Sequence, residues 1–554
     1  MGSKQGGTTV HVNGVNFYSS VYTVTFGDLR GVKAVRTSRS VLTVNSPPVP
    51  ADTTVPVVVS SKYGGSSNSI PFTYDGNAAP IRFKRQVVTQ GGPDKKYVNN
   101  LGAAIAVGPD GRLYVGKKGH IHVLTISAGY DVTSACKTTG LSGMDQVTSV
   151  AFNPADTKLQ LYAATSIIYY SEKENLPKTE WNNGKIVLLE PTAACMAVTK
   201  TVVSGLPVSD HDHVVAALVF DSAGRLRWSQ GSFTNMGANT PTSGTGIGGL
   251  DEAPLSAALL VAPVNQPGFD GAVTYTDADA PDRATVTGGD VDVFATGVRN
   301  AFALAYTSTG ALYAADNGPN RGYGPASTSC TSQGADPQTG DTLLRLTAGA
   351  YYGSPNRNRG RNDPRQCVYV APLGARAADA TAGLAPVQSS TNGVVEYGAA
   401  TFANALRGEL LLSKFAGQSS GLLYRARPAA DGADEPLTED GVRIMVGRSG
   451  LAIFEDPAGG IVMADPRAAT VTVLRPTYPP PRSPTLIGVV PVRGRAAGGT
   501  ALRVTGHGFG GAAAAVAVTV GGAPCRNVRD VAADGTALTC TAPPGARGSV
   551  VDVV

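Results

Sequence analysis

The chain has 554 residues, too many for one ordinary hydrophobic core, so several domains are expected. Hydrophobic residues make up 42% and charged residues 16%, while 68 glycines and 37 prolines are dispersed as turns between short strands. A formal charge of +5 with scattered Lys and Arg excludes a basic nucleic-acid surface, and no apolar run approaches the ~20 residues that cross a bilayer.

Val, Thr and Tyr alternate with small or polar residues, the period of a half-buried strand, and helical periodicity is hard to find. Near the start stands Gly6-Gly7-Thr8-Thr9-Val10-His11-Val12-Asn13-Gly14, followed by Val-Thr-x-Gly at 24–27 and Pro47-Pro48. Near the end the order returns as Gly498-Gly499-Thr500-Ala501-Leu502-Arg503-Val504-Thr505-Gly506, then Val-Thr-x-Gly at 518–521 and Pro543-Pro544. Such strands, with Gly at tight turns and Pro at strand stops, suit a small β-sandwich. These residues resemble the IPT/TIG family of immunoglobulin-like domains, whose last strand Pro71-Phe72-Thr73-Tyr74 resembles. The first copy starts almost at its Gly-Gly-Thr, and the second stops at Val554 before a Phe-Thr-Tyr counterpart. An N-terminal strand is therefore expected to be missing from one copy and a C-terminal strand from the other. That suits a segment of a longer secreted or membrane protein, and explains why no signal peptide leads the chain.

Between Ala79 and Pro476 a hydrophobic strand, a turn and a second apolar strand recur. The copies are 106–115, 151–162, 219–226, 305–313, 402–412 and 453–463. Six hairpins in order, without helical interruption, imply a six-bladed propeller. The expected fold is all-β: a six-bladed β-propeller (79–475) between two immunoglobulin-like β-sandwich domains (1–78 and 485–554), with a Pro-rich linker at 476–484. Arg357, Arg359, Arg361 and Arg365 fall among Asn, Gly, Asp and Pro and read as a solvated loop.

Six cysteines stand at 136, 195, 330, 367, 525 and 540, none in a Cys-x-x-Cys pair, so zinc or thioredoxin-like chemistry is not indicated. Their even number suggests disulfides and an oxidising compartment, extracellular or at the cell surface. Sequence order favours Cys136–Cys195, Cys330–Cys367 and Cys525–Cys540 without fixing the connectivity. Cys525 and Cys540 also sit where many IPT/TIG members carry a disulfide.

Asp210-His211-Asp212-His213 precedes the third hairpin. In an extended strand the two His would share one face and the two Asp the other, too few donors for a metal by themselves. His120 and His122 repeat the spacing without carboxylates and read as strand surface.

From here the middle resembles the soluble quinoprotein glucose/sorbosone dehydrogenases, six-bladed propellers that bind pyrroloquinoline quinone (PQQ) and calcium on their axis. The likeness rests on Asp212-His213 running through Leu226, on Arg299-Asn300, and on Gly318-Pro319. It continues with Gly340-Asp341 and Tyr352-Gly353-Ser354-Pro355, and with Lys414 and Arg448. The resemblance implies His213, beside Asp212, as general base and Arg299 as stabiliser of charge growing on the quinone. It further implies Asp212, Arg299, Asn300, Lys414 and Arg448 as cofactor contacts, and the carbonyls of Gly318 and Pro319 as Ca²⁺ ligands.

Three positions depart from that family: Ser232 follows Gly231 where the family often has Asp, Thr342 follows Asp341, and Gly450 replaces a second arginine. Two functions follow. One is an extracellular dehydrogenase acting on sugar or polyol alcohols; the other is a catalytically silent cell-surface or matrix protein that binds a protein or glycan. At single residues, His213 could instead serve only neighbouring loops, Arg299 a blade junction, and Gly318-Pro319 a turn.

Overall fold

Leu113-Tyr114-Val115, Leu161-Tyr162-Ala163-Ala164 and Leu410-Leu411-Leu412 are buried at every position. The half-buried alternation expected from the sequence is therefore not what these central strands show. A strand apolar on both faces has to be covered on both sides by other sheets. The computed structural model describes residues 101–235 apart from 128, 157 and 171–175; 250–318 apart from 251 and 282; 341–354; and shorter runs within 2–88, 383–426, 443–476 and 485–553.

Within these residues six four-stranded antiparallel sheets follow one another. Their first strands are Leu101–Val107, Gln146–Phe152, Val215–Phe220, Ala301–Tyr306, Thr391–Tyr397 and Ala452–Glu455. Each first strand neighbours the next, and the sixth returns to the first, so the sheets stand in a ring as a β-propeller. Alternate residues serve opposite neighbours. Leu113, Val115 and Leu124 pack with Val462, Val471 and Val473 of the sixth sheet. Tyr114, Ile121 and Val123 pack with Val147, Leu161 and Val187 of the second.

The ring is closed by a strand from before its first sheet. Phe83–Val87 pairs with Thr470–Pro476 as the outer strand of the sixth sheet. The Val88 N–H extends that ladder to the carbonyl of Val471 at 2.9 Å. A second tie runs between sheets, where Cys136 and Cys195 form a disulfide with Cα atoms 5.7 Å apart. It joins the outer strand of the first sheet to the residue before Met196–Leu206, the outer strand of the second.

The recurring hairpin has one geometry. Gly111, Gly224, Gly310 and Gly459 all have positive φ and donate N–H to the carbonyl three residues earlier. An L side chain is strained there, which is why Gly recurs. The fifth hairpin differs from expectation: its first strand is Thr391–Tyr397, and Phe402 lies in the connection with φ 55°. Phe402 is fully buried, 5.1 Å from Phe83. Its hydrophobicity reports a core plug and not a strand.

Each end of the chain folds separately. At the N-terminus, sheets of five and three strands enclose Val24, Phe26, Leu42, Val44, Phe72 and Tyr74. At the C-terminus, sheets of four and two strands enclose Leu502, Val504, Val518 and Leu538, with Cys525 bonded to Cys540. Gly27 and Gly521, the repeated turn glycines, have φ of 60° and 59°. Thr485–Val490 flanks Ala501–His507 at the C-terminus, whereas the counterpart Thr9–Asn13 pairs only with Val41–Asn45 among the described residues. Cys330, Cys367, the arginines at 357–365 and the linker at 477–484 lie outside the described residues.

If the closing strand sustains the ring, Val88→Pro strands the Val471 carbonyl and costs about 1–3 kcal/mol. The urea midpoint of the propeller should fall, while Val88→Ile stays near wild type; equal midpoints for all three would show that closure is dispensable.

Candidate functional site

Strand direction brings the expected residues to one end of the ring. In each sheet the first strand begins, the second ends and the third begins at the same end. His213 and Arg299-Asn300 stand just before the first strands of the third and fourth sheets. Asp316 ends a second strand, Gly318 follows it, and Asp341 opens a third strand. Lys414 ends the second strand of the fifth sheet, paired with Thr391. Pro319 and Arg448 lie outside the described residues.

The segment at 210–213 is a turn, so the two-faced arrangement of an extended strand does not apply to it. Ser209 Oγ accepts the N–H groups of His211 (3.2 Å) and His213 (3.1 Å), a side-chain bond that replaces a ladder. His213 is turned inward at 2% exposure, and its Nδ1 lies 2.8 Å from the Ser232 carbonyl and 3.1 Å from Ser232 Oγ. A carbonyl only accepts, so Nδ1 carries the proton and Nε2 the lone pair. Nε2 has no hydrogen-bond partner among the described residues. Gly231 makes this approach possible: a Cβ there would stand 2.7 Å from that of His213. Burial first, then the charge of Arg299, pushes His213 down to about 3.

Asp212 points away from the core, with 45% of its side chain exposed and Oδ1 2.5 Å from His211 Nδ1. Its partial burial raises the carboxyl, but the His211 bond and the charges of His213, His211 and Arg299 outweigh that and hold it low. His213 is thus neutral and Asp212 ionised at neutral pH.

Arg299 is 5% exposed. Its Nε donates to the Asn235 carbonyl (2.8 Å), one Nη to Asn235 Oδ1 (2.6 Å) and the other to the Asn317 carbonyl (3.3 Å). The Arg299 carbonyl in turn accepts the Ser232 N–H at 2.8 Å, so residues 232–235 touch both His213 and Arg299. Carboxylates fix the surrounding backbone. Asp316 accepts the N–H groups of Arg299 (3.0 Å) and Asn300 (2.7 Å). Asp341 accepts those of Gly318 (3.1 Å) and Thr391 (3.0 Å) and the Asn317 amide (2.8 Å).

Ser209, Asn235 and Glu252 support this machinery without any sequence motif to mark them. Glu252, fully buried, accepts the N–H groups of Phe233 (3.0 Å) and Thr234 (2.9 Å) and the hydroxyls of Thr234 and Ser256 (both 2.5 Å). It thereby clamps residues 232–235. The only sequence signal for Glu252 is an acid directly before the largely apolar stretch Ala253 to Ala262, with nothing to tie it to His213. Among the described residues no group of three or more His, Cys, Asp or Glu side chains is placed to hold a metal ion.

A model of the IPT/TIG domain family matches residues 1–74 and 484–554. Both ends of the chain are IPT/TIG domains. The ring between the IPT/TIG domains is similar to solved structures at low identity. One is the holo form of the pyranose dehydrogenase PQQ domain from Coprinopsis cinerea, at 13% identity, covering 71% of this chain and 97% of that one, with a TM-score of 0.48. A calcium structure of the Trichoderma reesei carbohydrate-active enzyme of family AA12 has 15% identity, coverage of 72% and 98%, and a TM-score of 0.47. A glucose dehydrogenase has 14% identity, coverage of 71% and 100%, and a TM-score of 0.46. No curated protein matches the chain.

Two outcomes test the site. His213 resists protonation when folded, so its contribution to stability is full above the unfolded value of ~6.5 and is lost as pH falls toward the folded one. Wild type should therefore lose about 2–3 kcal/mol more than His213→Gln between pH 7.5 and 4.5, read from urea midpoints. Parallel losses would mean that His213 titrates normally. Glu252→Gln replaces an acceptor oxygen by an amide NH₂ facing donors and should cost about 1–3 kcal/mol; an unchanged midpoint would remove its role as clamp.

Proposed function

We propose that the propeller is an extracellular dehydrogenase acting on sugar or polyol alcohols, with His213 as general base. What supports the reading most is one arrangement: a buried neutral imidazole, proton fixed on Nδ1, whose Nε2 has no partner among the described residues and which lies within the field of a buried arginine.

Converting an alcohol carbon to a carbonyl removes one proton and one hydride. The hydroxyl proton passes to Nε2 of His213, and the Ser232 carbonyl and the nearby Asp212 carboxylate stabilise the imidazolium. Pyrroloquinoline quinone, when bound with Ca²⁺, supplies the hydride acceptor. The donor set suits a flat acidic group of that kind: the Arg299 guanidinium, the Asn300 amide and the Lys414 ammonium belong to one end of the ring. The Gly318 carbonyl, on a turn that Asp341 holds, is the hard oxygen a calcium ion takes. An anion seated on Arg299 also offsets the charge that depresses His213, so the base strengthens as the site fills.

The silent-scaffold reading has its own support. Arg299 gives three of its hydrogen bonds to loop oxygens, and Ser232 stands where a carboxylate would stabilise the imidazolium better.

Protein supplied with PQQ and Ca²⁺ should reduce a dye in the presence of aldoses or polyols, and His213→Ala should lower kcat by about 10²–10⁴-fold. Equal rates in the two proteins would remove His213 as base. No turnover by wild type on any sugar would favour the scaffold.

A further inference from the structure

The first sheet carries a basic cluster that the proposed oxidation does not use. Lys117 ends the second strand, His120 opens the third, and Lys137 ends the fourth. Register places Lys117 opposite His120 and His122 opposite Lys137. Residues opposite one another in an antiparallel pair share a face, as do positions i and i+2. All four side chains therefore leave one face of the sheet, at the end of the ring that holds His213. The two imidazoles meet with Nε2 atoms 3.2 Å apart and ring centroids 4.8 Å apart, and His122 is only 7% exposed.

Among the described residues no carboxylate pairs with either lysine of the cluster or with His120. Asp145, whose carbonyl accepts the neighbouring Gly119 N–H, has its carboxylate on Lys185 (2.9 Å) and the Ser142 N–H (3.0 Å). Burial comes first, then the like charges within the cluster, in lowering His120, His122 and Lys117 below their ordinary values. Like charges gathered around a half-buried histidine pair cost free energy that an anion recovers.

We infer that Lys117, His120, His122 and Lys137 form a binding site for an oxyanion: a carboxylate, sulfate or phosphate group. Each lysine supplies an ammonium, and the imidazole pair beside them takes up a proton as the anion arrives, which adds a charge-assisted donor. The neighbouring lysines disfavour a divalent cation at the same place. The site does not depend on the dehydrogenase reading, because among the described residues none of its side chains hydrogen-bonds His213 or Arg299.

The chain has six histidines, so ring resonances of isotope-labelled protein can be assigned with His120→Gln and His122→Gln. Titration with inorganic sulfate should shift the His120 and His122 signals saturably and raise both pKa values. Lys117→Ala/Lys137→Ala, or the Gln pair if the Ala pair does not fold, should weaken binding at least tenfold without shifting His213. A sulfated disaccharide binding more tightly than sulfate would identify a saccharide-borne group; equal affinity would identify the free ion. The inference is overturned if sulfate leaves both signals in place, if the lysine variants bind as well as wild type, if a neutral disaccharide gives the same shifts, or if only Zn²⁺ shifts them.

Discussion

Two-sided burial of the sheets is the constraint from which the rest of the molecule follows. Because Leu113 and Val115 need one neighbour and Tyr114 another, no sheet is stable alone, and the series ends only when the sixth meets the first. Phe83–Val87 removes the last free seam by crossing back to Thr470–Pro476. Closure fixes strand direction, and direction alone decides that turns far apart in sequence open at the same end. Backbone N–H groups gathered there lack ladder partners and must be satisfied by other means. Asp316, Asp341 and Glu252 do this, each accepting at least two N–H groups. Burial raises all three carboxyls, Asp316 to about 6, while their hydrogen bonds oppose it.

The sequence disclosed what repeats. A turn needing positive φ shows itself as Gly wherever it recurs, so four hairpins and the paired turns at Gly27 and Gly521 could be read directly. Where one hydrophobic residue served another purpose the pattern misled, as at Phe402, whose ring fills a core and whose backbone turns. In the site, Asp212, His213, Arg299 and Asn300 were legible as short motifs. Their supports were not, because Ser209, Asn235 and Glu252 act through hydrogen bonds across folded distance. No spacing in the chain marks Glu252 as the holder of residues 232–235.

Ser232 is the point where structure and chemistry pull apart. Its carbonyl fixes the tautomer that leaves Nε2 basic, and its N–H reaches the Arg299 carbonyl. Its hydroxyl donates onward to the Thr234 carbonyl at 2.8 Å, which leaves it able to accept from Nδ1 but adds no negative charge. Orientation is thus retained and cation stabilisation reduced. A carboxylate at this position would raise the basicity of His213 at the cost of a further buried charge near Asp212.

Acids and bases at this end of the ring serve different partners. Asp316, Asp341 and Glu252 face backbone N–H groups, so much of their charge is spent on the fold. Arg299 keeps its guanidinium inside the site, while half-buried Lys117 and exposed Lys137 stand together on the first sheet and half-buried Lys414 ends a strand of the fifth. Asp212 adds an ionised carboxylate at the surface of the same end, so an approaching anion meets charges of both signs before it reaches the neutral imidazole.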